Sequence, residues 1–457
     1  MRTVKSGFRA AAIAALLAVA ALPGARAQGF SIPDDVKANV RARVDDGWTV
    51  GMVVGVVDSS GARYFAYGLT AAGGQPVDER TVFEIGSITK VFTALALADM
   101  VVKGEVGLDD AVQRYLPDSV HVPSRGGKQI TLRLLSAQRS GLPRMPGNFA
   151  PADRDNPFAD YDTARLYAFL DHYTLTRDPG ASYEYSNLGV GLLGLALARR
   201  NGTSYEDLVL RRVIEPLHMA DTRIALTPEL RARLAHGYAG RQPVGNWDLG
   251  ALAGAGALRS TAADMAMLAA AAAGLTRTAL DSAFRLTEAI EFDAGPGMRI
   301  GLAWHVLGPD SAAVFWHNGG TGGYRAFLGV DPRRKRGVVV LSNSTQGIDD
   351  IGYHLLVPTL PLATVRAAIT LPPDSLDAYV GTYRLAPAFV LTVRRDGAGL
   401  VAQATGQGPA PIYASARDEF FLMAVDAQLS FVRDSTGKVA SLILHQGGRD
   451  MPAPRTE

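Results

Sequence analysis

The sequence predicts two domains, a larger one in which helices and strands are mixed and a small C-terminal one built of strands alone. Three observations carry this. The chain has 457 residues, more than one hydrophobic core usually fills. Apolar runs of helical character, such as Val91 to Met100 and Leu188 to Arg199, alternate with β-rich runs such as Trp48 to Val57, as in a mixed fold. Near Leu371-Pro372-Pro373 the texture changes to short β-like runs separated by turn residues, which reads as a small antiparallel barrel or sandwich. With 47% hydrophobic and 20% charged residues, the composition is that of a soluble globular protein and excludes a chain disordered throughout.

Residues 1–27 read as a signal peptide. Arg2, Lys5 and Arg9 form a basic n-region, Ala10 to Leu22 an apolar h-region, and Ala25-Arg26-Ala27 a small-x-small cleavage site. The mature chain is expected to begin near Gln28 and to be periplasmic or secreted. The apolar run is too short for a membrane span. With no cysteine there is neither a thiol for a lipid anchor nor a disulfide framework. Removing the leader leaves 42 Lys and Arg against 44 Asp and Glu, so the formal charge moves from +2 to −2. That balance gives no sign of a nucleic-acid partner, and Arg333-Arg334-Lys335-Arg336 reads as a solvated hairpin tip.

Taken in order, Pro33 to Val44 is helix-like, and Trp48 to Val57 then turns at Ser59-Ser60-Gly61 into the alternating run Arg63 to Gly68. This hairpin leads to Thr81-Val82-Phe83 and the helix after Ser87. Gly107 to Tyr115 and Ile130 to Leu135 read as short helices, and Ser140 to Tyr161 as a loop. Leu188 to Arg199 and Ser204 to Leu217 are expected helices. Ala257 to Gly274 is another, with Ser260 or Thr261 as its cap and Asp264 in its first turn. Leu302 to Leu307, Arg325 to Val330 and Gly337 to Ser342 read as strands. In the tail, strands are expected at Tyr379 to Tyr383, Phe389 to Arg394, Leu400 to Ala404, Glu419 to Ala424, Leu429 to Arg433 and Ser441 to His445.

The chemistry is carried by three stretches. Ser87 and Lys90 stand three residues apart where a β-like run gives way to a helix, a spacing that puts the amine beside the hydroxyl on one helix face and pairs a nucleophile with a base. Ser435 and Lys438 repeat the spacing in DSTGKV, but in a turn between two β-like runs, where a hairpin tip accounts for them. Around Ser87 the context differs: Gly86 admits close backbone approach, and Val91, Phe92, Leu95, Leu97 and Met100 make the helix after Lys90 a buried one. A buried lysine needs a task or partners. In the second stretch, Pro179 to Asn187, Tyr185 and Asn187 sit at a helix entrance, where Asn187 alone could be an N-cap and Tyr185 a packing residue. The third, Phe315 to Tyr324, carries His317, Gly319 and Gly320 between β-like runs, and its glycines allow a ligand to approach the strand. His445 to Gly448 repeats the His-x-Gly-Gly pattern with no nucleophile pattern near it in sequence.

Ser87-x-x-Lys90, Tyr185-x-Asn187 and His317-x-Gly319 in this order resemble the serine β-lactamase and penicillin-binding protein superfamily. The resemblance is closest to class C β-lactamases and related D-alanyl-D-alanine carboxypeptidases and esterases, and it runs over roughly residues 30–360, including PGASYEYSNLGVGLLG and Ser140-Gly141-Leu142-Pro143. It implies an α/β (α+β) fold, an antiparallel sheet flanked by helices with an all-helical region inserted, here as a hydrolase domain at 28–368. VGTYR at Val380 to Arg384 and LHQGGRD near the end look like the small antiparallel β-barrel appended to such hydrolases, here 369–457. By the resemblance Ser87 is the acylated nucleophile, Lys90 its base and Tyr185 the proton shuttle. Asn187 positions Lys90 and the substrate amide, His317 and Gly319 belong to the substrate-binding strand, and the backbone N–H groups of Ser87 and Gly320 form the oxyanion hole.

The implied activity is that of an exported serine hydrolase acting through an acyl-enzyme on β-lactams, D-alanyl-D-alanine peptides or esters. A small molecule or peptide would be the substrate and peptidoglycan a candidate partner. No zinc signature is present, so no metal or cofactor is expected. A non-hydrolytic penicillin-binding or wall-binding protein would be favoured by an incomplete site, and all three motifs are present. An α/β-hydrolase would need a G-x-S-x-G elbow, which Ser87 lacks. Two positions depart from the family pattern: Thr89 stands where a small residue is usual, and His317 where a lysine commonly is. A lysine base of ordinary pKa would be neutral in about one molecule in 2,500 at pH 7, so Lys90 is expected to be buried with a depressed pKa. A histidine is mostly neutral at pH 7, so carboxylate-bearing substrates are expected to bind better below about pH 6.5, and an esterase gains standing.

Overall fold

The computed structural model describes residues 29–289, 292–295, 297–423, 425, 427–446 and 448–456; the expected leader, residues 1–27, lies outside the described residues. The larger part is built on an eight-stranded antiparallel sheet. Its order runs Gly61–Gly68, Gly51–Asp58, Arg336–Ser342, Arg325–Asp331, Val314–Gly320, His305–Leu307, Met298–Ile300, Phe292–Gly295. The first two strands of the chain therefore join the late ones, Gly51–Asp58 pairing with Arg336–Ser342. Alternation sorts the side chains to two faces. Val53, Val57, Val339 and Leu341 pack against a large cluster with the helices of the middle of the chain. Met52, Val54, Val56, Val338 and Val340 pack with Val36 and Val40 of the first helix and Ile351 and Leu355 of the helix Asp349–Leu356.

The described residues between Gly68 and Phe292 are mostly helices and loops, and their centre is the helix Thr89–Val102, buried from Thr89 to Met100. A strand pair, Val82–Glu84 with Arg259–Thr261, holds the entrance to this helix. Thr261 caps the following helix Ala262–Ala272 by accepting the Asp264 N–H at 3.1 Å, which selects between the two expected caps. The helix Asn187–Asn201 begins one residue before the expected start, because Ser186 is its cap, accepting the Gly189 N–H at 2.8 Å. Asn187 is thereby released from the capping role that its sequence position suggests.

Some expected elements are shorter. Gly107 to Tyr115 is helical only over Val112–Tyr115, since the Asp110 carboxylate takes the Gly107 N–H at 2.6 Å and shapes a turn instead. Ile130 to Leu135 becomes Leu132–Ser136, capped by Thr131. Ser204 to Leu217 is α-helical over Tyr205–Val209 and then widens to a π-turn over Leu210–Ile214. Of Leu302 to Leu307 only His305–Leu307 pairs as a strand, because Ala303 has a φ of 66°, outside the β region.

Residues 381–454 form a second eight-stranded antiparallel sheet in sequence order, a nearly closed barrel whose first strand is bridged to Arg455 through Tyr383. Tyr379, Tyr383, Leu429, Phe431 and Leu442 fill it. The expected strand at Tyr379 begins at Gly381, after a short helical turn at Asp377–Tyr379. Two strands escape the sequence reading, Ala410–Ala416 and Arg449–Pro454. Both contain proline, which argues against a central strand, and the second closes the barrel at its seam.

The barrel meets the larger part at Trp48. Its indole stacks on Phe421 at 5.9 Å, donates from Nε1 to the Arg366 carbonyl at 3.0 Å, and packs with Met423. Replacing Trp48 with Ala should lose about 3 kcal/mol of this contact. In calorimetry the variant should show a separate, lower transition for the barrel, whereas a single unshifted transition would deny the junction this role.

Candidate active site

The site is built where the Ser87 turn, the start of the helix Asn187–Asn201, the strand Val314–Gly320 and the segment Gly250–Ala255 converge. Ser87 lies in a helical turn, Gly86–Ile88, that runs directly into the helix Thr89–Val102. Gly86 has a φ of 49°, and a side chain there would come within 2.6 Å of the Gly320 backbone nitrogen. At Gly319 a Cβ would stand 1.9 Å from the Ile85 carbonyl and 3.1 Å from the Ser87 nitrogen. Only glycine at both positions lets the strand lie against the nucleophile turn, and this brings Ser87, Gly319 and Gly320 together.

Lys90 is fully buried. Its Nζ lies 2.9 Å from Ser87 Oγ, 2.9 Å from Asn187 Oδ1 and 2.7 Å from the Ala255 carbonyl. Burial, and after it the positive charge of Arg144, holds its pKa well below the ordinary lysine value. A neutral amine has two N–H groups and one lone pair. The two pure acceptors, Asn187 Oδ1 and the Ala255 carbonyl, take the N–H groups, which leaves the lone pair facing the Ser87 hydroxyl. The expectation of a buried, low-pKa Lys90 agrees with this geometry.

The partners of Lys90 are themselves held by packing. In the helix Asn187–Asn201, a Cβ on Gly194 would meet Gly254 Cα at 3.0 Å and one on Gly191 would meet Leu252 at 2.7 Å, so these glycines let the helix close on the segment that presents Ala255. Thr93 Oγ1 donates to the Gly254 carbonyl at 2.7 Å, and Thr89 Oγ1 accepts the Leu258 N–H at 3.1 Å. On the other side, Ser186 Oγ donates to the Pro143 carbonyl at 2.6 Å, Gln138 Oε1 accepts the Ser186 N–H at 2.7 Å, and the Arg144 carbonyl accepts the Asn187 N–H at 3.0 Å. The Ser140 to Pro143 turn thus fixes the segment that carries Tyr185 and Asn187.

Tyr185 stands beside Ser87, with its ring centroid 4.7 Å from Lys90 Nζ. Burial raises its pKa, so it is a protonated phenol at neutral pH; Ser87 and Arg144 only partly offset this. His317 is buried with Nδ1 2.6 Å from the Asn318 carbonyl. Nδ1 therefore carries the proton, and Nε2, which has no hydrogen-bond partner among the described residues, is an acceptor. Burial first, then His305 and Lys90, push its pKa well below 6.5, so the expectation that His317 gains charge near pH 6.5 is corrected. Sequence reasoning missed three neighbours. His305 lies 3.0 Å from the Tyr183 hydroxyl through Nε2 and is pushed down to about 4 by burial. Arg144 stands over the Tyr185 ring at 5.0 Å. The Ala255 carbonyl belongs to the main chain and has no signature in the sequence.

The two repeated patterns lie far from these groups. Ser435 and Lys438 flank a turn in which Asp434 takes the N–H groups of Thr436 and Lys438. His445 sits in a polar row across the barrel strands, between Ser430 at 2.9 Å and Asp450 at 2.7 Å, with Glu419 also bonded to Ser430.

A buried neutral amine against a serine hydroxyl defines a serine hydrolase. Residues 36–356 match the family model described as Beta-lactamase, and the chain belongs to that family. Residues 365–454 match a domain of unknown function, DUF3471. The chain is 28% identical over 331 residues, covering 67% of it and 84% of the relative, to the D-alanyl-D-alanine-carboxypeptidase/endopeptidase AmpH of Escherichia coli. It is 25% identical over 423 residues, covering 84% of it and 89% of the relative, to a penicillin-binding protein of Bacillus subtilis. Among solved structures it is similar to a D-alanine carboxypeptidase AmpC from Burkholderia cenocepacia, with a TM-score of 0.60 and 26% identity over 71% of this chain and 99% of that one.

Two outcomes follow from these protonation states. Because burial holds the Lys90 pKa well below the ordinary lysine value, its neutral form extends to lower pH than that of an exposed lysine. The rate of acyl-adduct formation should be level from pH 7 to 9 and fall on the acid side, and Lys90→Ala should lower it about 10²- to 10⁴-fold. A rate climbing tenfold per pH unit toward pH 10 would signify an ordinary lysine. Since neither His305 nor His317 gains charge near neutrality, KM for a carboxylate-bearing substrate should stay constant within about threefold from pH 5.5 to 7.5. Tightening beyond that as pH falls would mean that His317 becomes a cation.

Proposed function

We propose that this chain is an exported serine hydrolase that forms an acyl-enzyme through Ser87 with D-alanyl-D-alanine peptides, β-lactams or both. The observation that carries the reading is the 2.9 Å contact of Lys90 Nζ with Ser87 Oγ, with two acceptors, Asn187 Oδ1 and the Ala255 carbonyl, placed to take both hydrogens of a neutral amine. In the proposed sequence Lys90 Nζ takes the Ser87 proton as Oγ attacks the carbonyl carbon. Negative charge on the carbonyl oxygen is met by the backbone N–H groups of Ser87 and Gly320. As the bond to the leaving group breaks, Tyr185 gives its proton to the departing atom and is reprotonated from Lys90. Water then hydrolyses the ester on Ser87. Asn187 holds Lys90 and receives the substrate amide, while His317 and Gly319 line the strand along which the substrate lies. Similarity to AmpH and to the Bacillus penicillin-binding protein supports the peptide and β-lactam substrates. The n-, h- and cleavage-site pattern of residues 1–27 supports export, and family matches at 36–356 and 365–454 support a division into a hydrolase domain and a barrel.

A second reading, a carboxylesterase of the same fold, is favoured by one observation: His317 offers an unprotonated Nε2 where a lysine commonly supplies a charge. Such a strand does not demand a carboxylate on the substrate.

Intact-mass spectrometry of the mature protein with benzylpenicillin, followed over time, tests the main reading. Wild type should gain one drug mass and Ser87→Ala none. An adduct that clears as hydrolysed drug accumulates indicates a β-lactamase, and one that persists indicates a carboxypeptidase or sensor. Absence of both adduct and hydrolysis, with turnover of neutral esters, would replace the main reading by the esterase.

A further inference from the structure

Arg144 is the exposed cation of the site, and the reaction described above gives its side chain no binding role. Its main chain is firmly placed, since its carbonyl accepts the N–H groups of Asn187 at 3.0 Å and Leu188 at 3.3 Å. The side chain reaches back over the cleft, with the guanidinium carbon 5.0 Å from the Tyr185 ring centroid. It forms no ion pair among the described residues. Neighbouring arginines differ: Arg177 is paired with Glu184, Arg139 donates to the Gly180 carbonyl, and Arg325 is mostly buried and turned toward the carbonyls of Thr321 and Tyr324. An exposed guanidinium resting on an aromatic face keeps its donors directed to solvent and is suited to bidentate capture of a carboxylate. Resting on Tyr185 is worth only about 0.5–1 kcal/mol at an exposed position.

The position of Arg144 selects the part of a substrate it would meet. Met145, the next residue, has its Sδ 3.7 Å from Asn187 Nδ2, so this loop borders the Asn187 end of the cleft. The strand Val314–Gly320 approaches Ser87 through Gly319 and Gly320 instead. In the proposed reading, on which this inference rests, Asn187 receives the amide of the acyl portion. We infer that Arg144 is a specificity-determining residue that binds an anionic group, a carboxylate in the first place, carried on the acyl portion beyond that amide. The preferred substrates are therefore acylated amino-acid derivatives or peptides whose acyl side carries a negative charge, and the neutral His317 leaves the opposite end of the cleft without such a requirement. Because the same guanidinium also contributes to the low proton affinity of Lys90, its charge serves the base as well as the substrate.

The test compares N-succinyl-D-alanyl and N-succinamoyl-D-alanyl thioesters, which differ in one charge, on wild type, Arg144→Met and Arg144→Lys. The readout is the ratio of kcat/KM for the two substrates, since loss of the charge near Lys90 changes both rates together. Wild type should favour the succinyl compound about 3- to 10-fold, as expected for a bidentate pair at a partly exposed site. Arg144→Lys should keep part of that preference, Arg144→Met should abolish it, and added salt should shrink it. Equal kcat/KM in wild type, or a preference that survives in Arg144→Met, would overturn the assignment. If neither thioester turns over, the acyl-enzyme reading fails on these substrates, and the affinities of the two compounds for Ser87→Ala, measured by calorimetry with and without Arg144→Met, still decide. Tighter, Arg144-dependent binding of the succinyl compound sustains the inference, and equal or absent binding of both rejects it.

Discussion

The organisation of this protein depends on keeping an amine uncharged in a place that water does not reach. A fully buried lysine is unfavourable in its charged form, so its surroundings hold its pKa well below the ordinary value. The helix that carries Lys90 is buried almost from end to end, which provides the desolvation. Asn187 and the Ala255 carbonyl accept two N–H groups, and the third neighbour, the Ser87 hydroxyl, can donate to the lone pair of the neutral form. Much of the surrounding architecture exists to bring these two acceptors in. The close-packed glycines of the helix Asn187–Asn201 admit the Gly250–Ala255 segment, and Ser186 takes the capping duty that would otherwise hold Asn187. A residue that would be a liability in an ordinary core is thus built into the most rigid part of the fold, where a catalytic group has to be held within a fraction of an ångström.

The same burial governs the rest of the cleft. Tyr185, His305 and His317 are all forced toward their neutral forms by desolvation, so the interior of the site holds proton donors and acceptors but little fixed charge. The substitution of histidine for the lysine usual at the start of the third motif therefore changes character: a histidine at the surface would be a pH-dependent cation, whereas this one is an acceptor. Positive charge instead comes from outside the pocket, from Arg144 at the mouth, where solvent reduces the energy of any pair it forms but leaves it free to choose among substrates.

Among the described residues, the hydrogen bonds to Ser87, Lys90 and Asn187 come from the larger part and not from the barrel. Its Trp48–Phe421 junction and the strand seam at Tyr383 and Arg455 are matters of attachment and closure. The two patterns in it that imitate the site, Ser435 with Lys438 and the repeat beginning at His445, have the right residues at the right spacing in sequence, but Ser435 and Lys438 flank a turn and His445 sits in a polar row between Ser430 and Asp450. Neither has the buried helix start that changes the protonation state of a lysine.

The sequence by itself determined that Ser87 and Lys90 would meet on one turn, that Lys90 would be buried, and that a small β domain would follow, because each depends on local spacing and on the apolar pattern of neighbouring residues; that the glycine-rich strand lies against the nucleophile was implied by the family resemblance alone. The prolines in Ala410–Ala416 and Arg449–Pro454 hid two strands: the second lies at the barrel seam, and the first is an inner strand in which Pro411 is paired with Val401. Only the tertiary structure decided the second acceptor for Lys90, the neutrality of His317, the Tyr183–His305 contact and the place of Arg144 over Tyr185. These depend on main-chain carbonyls and on desolvation by segments distant in sequence, and neither a carbonyl nor a dielectric environment has a letter in the sequence.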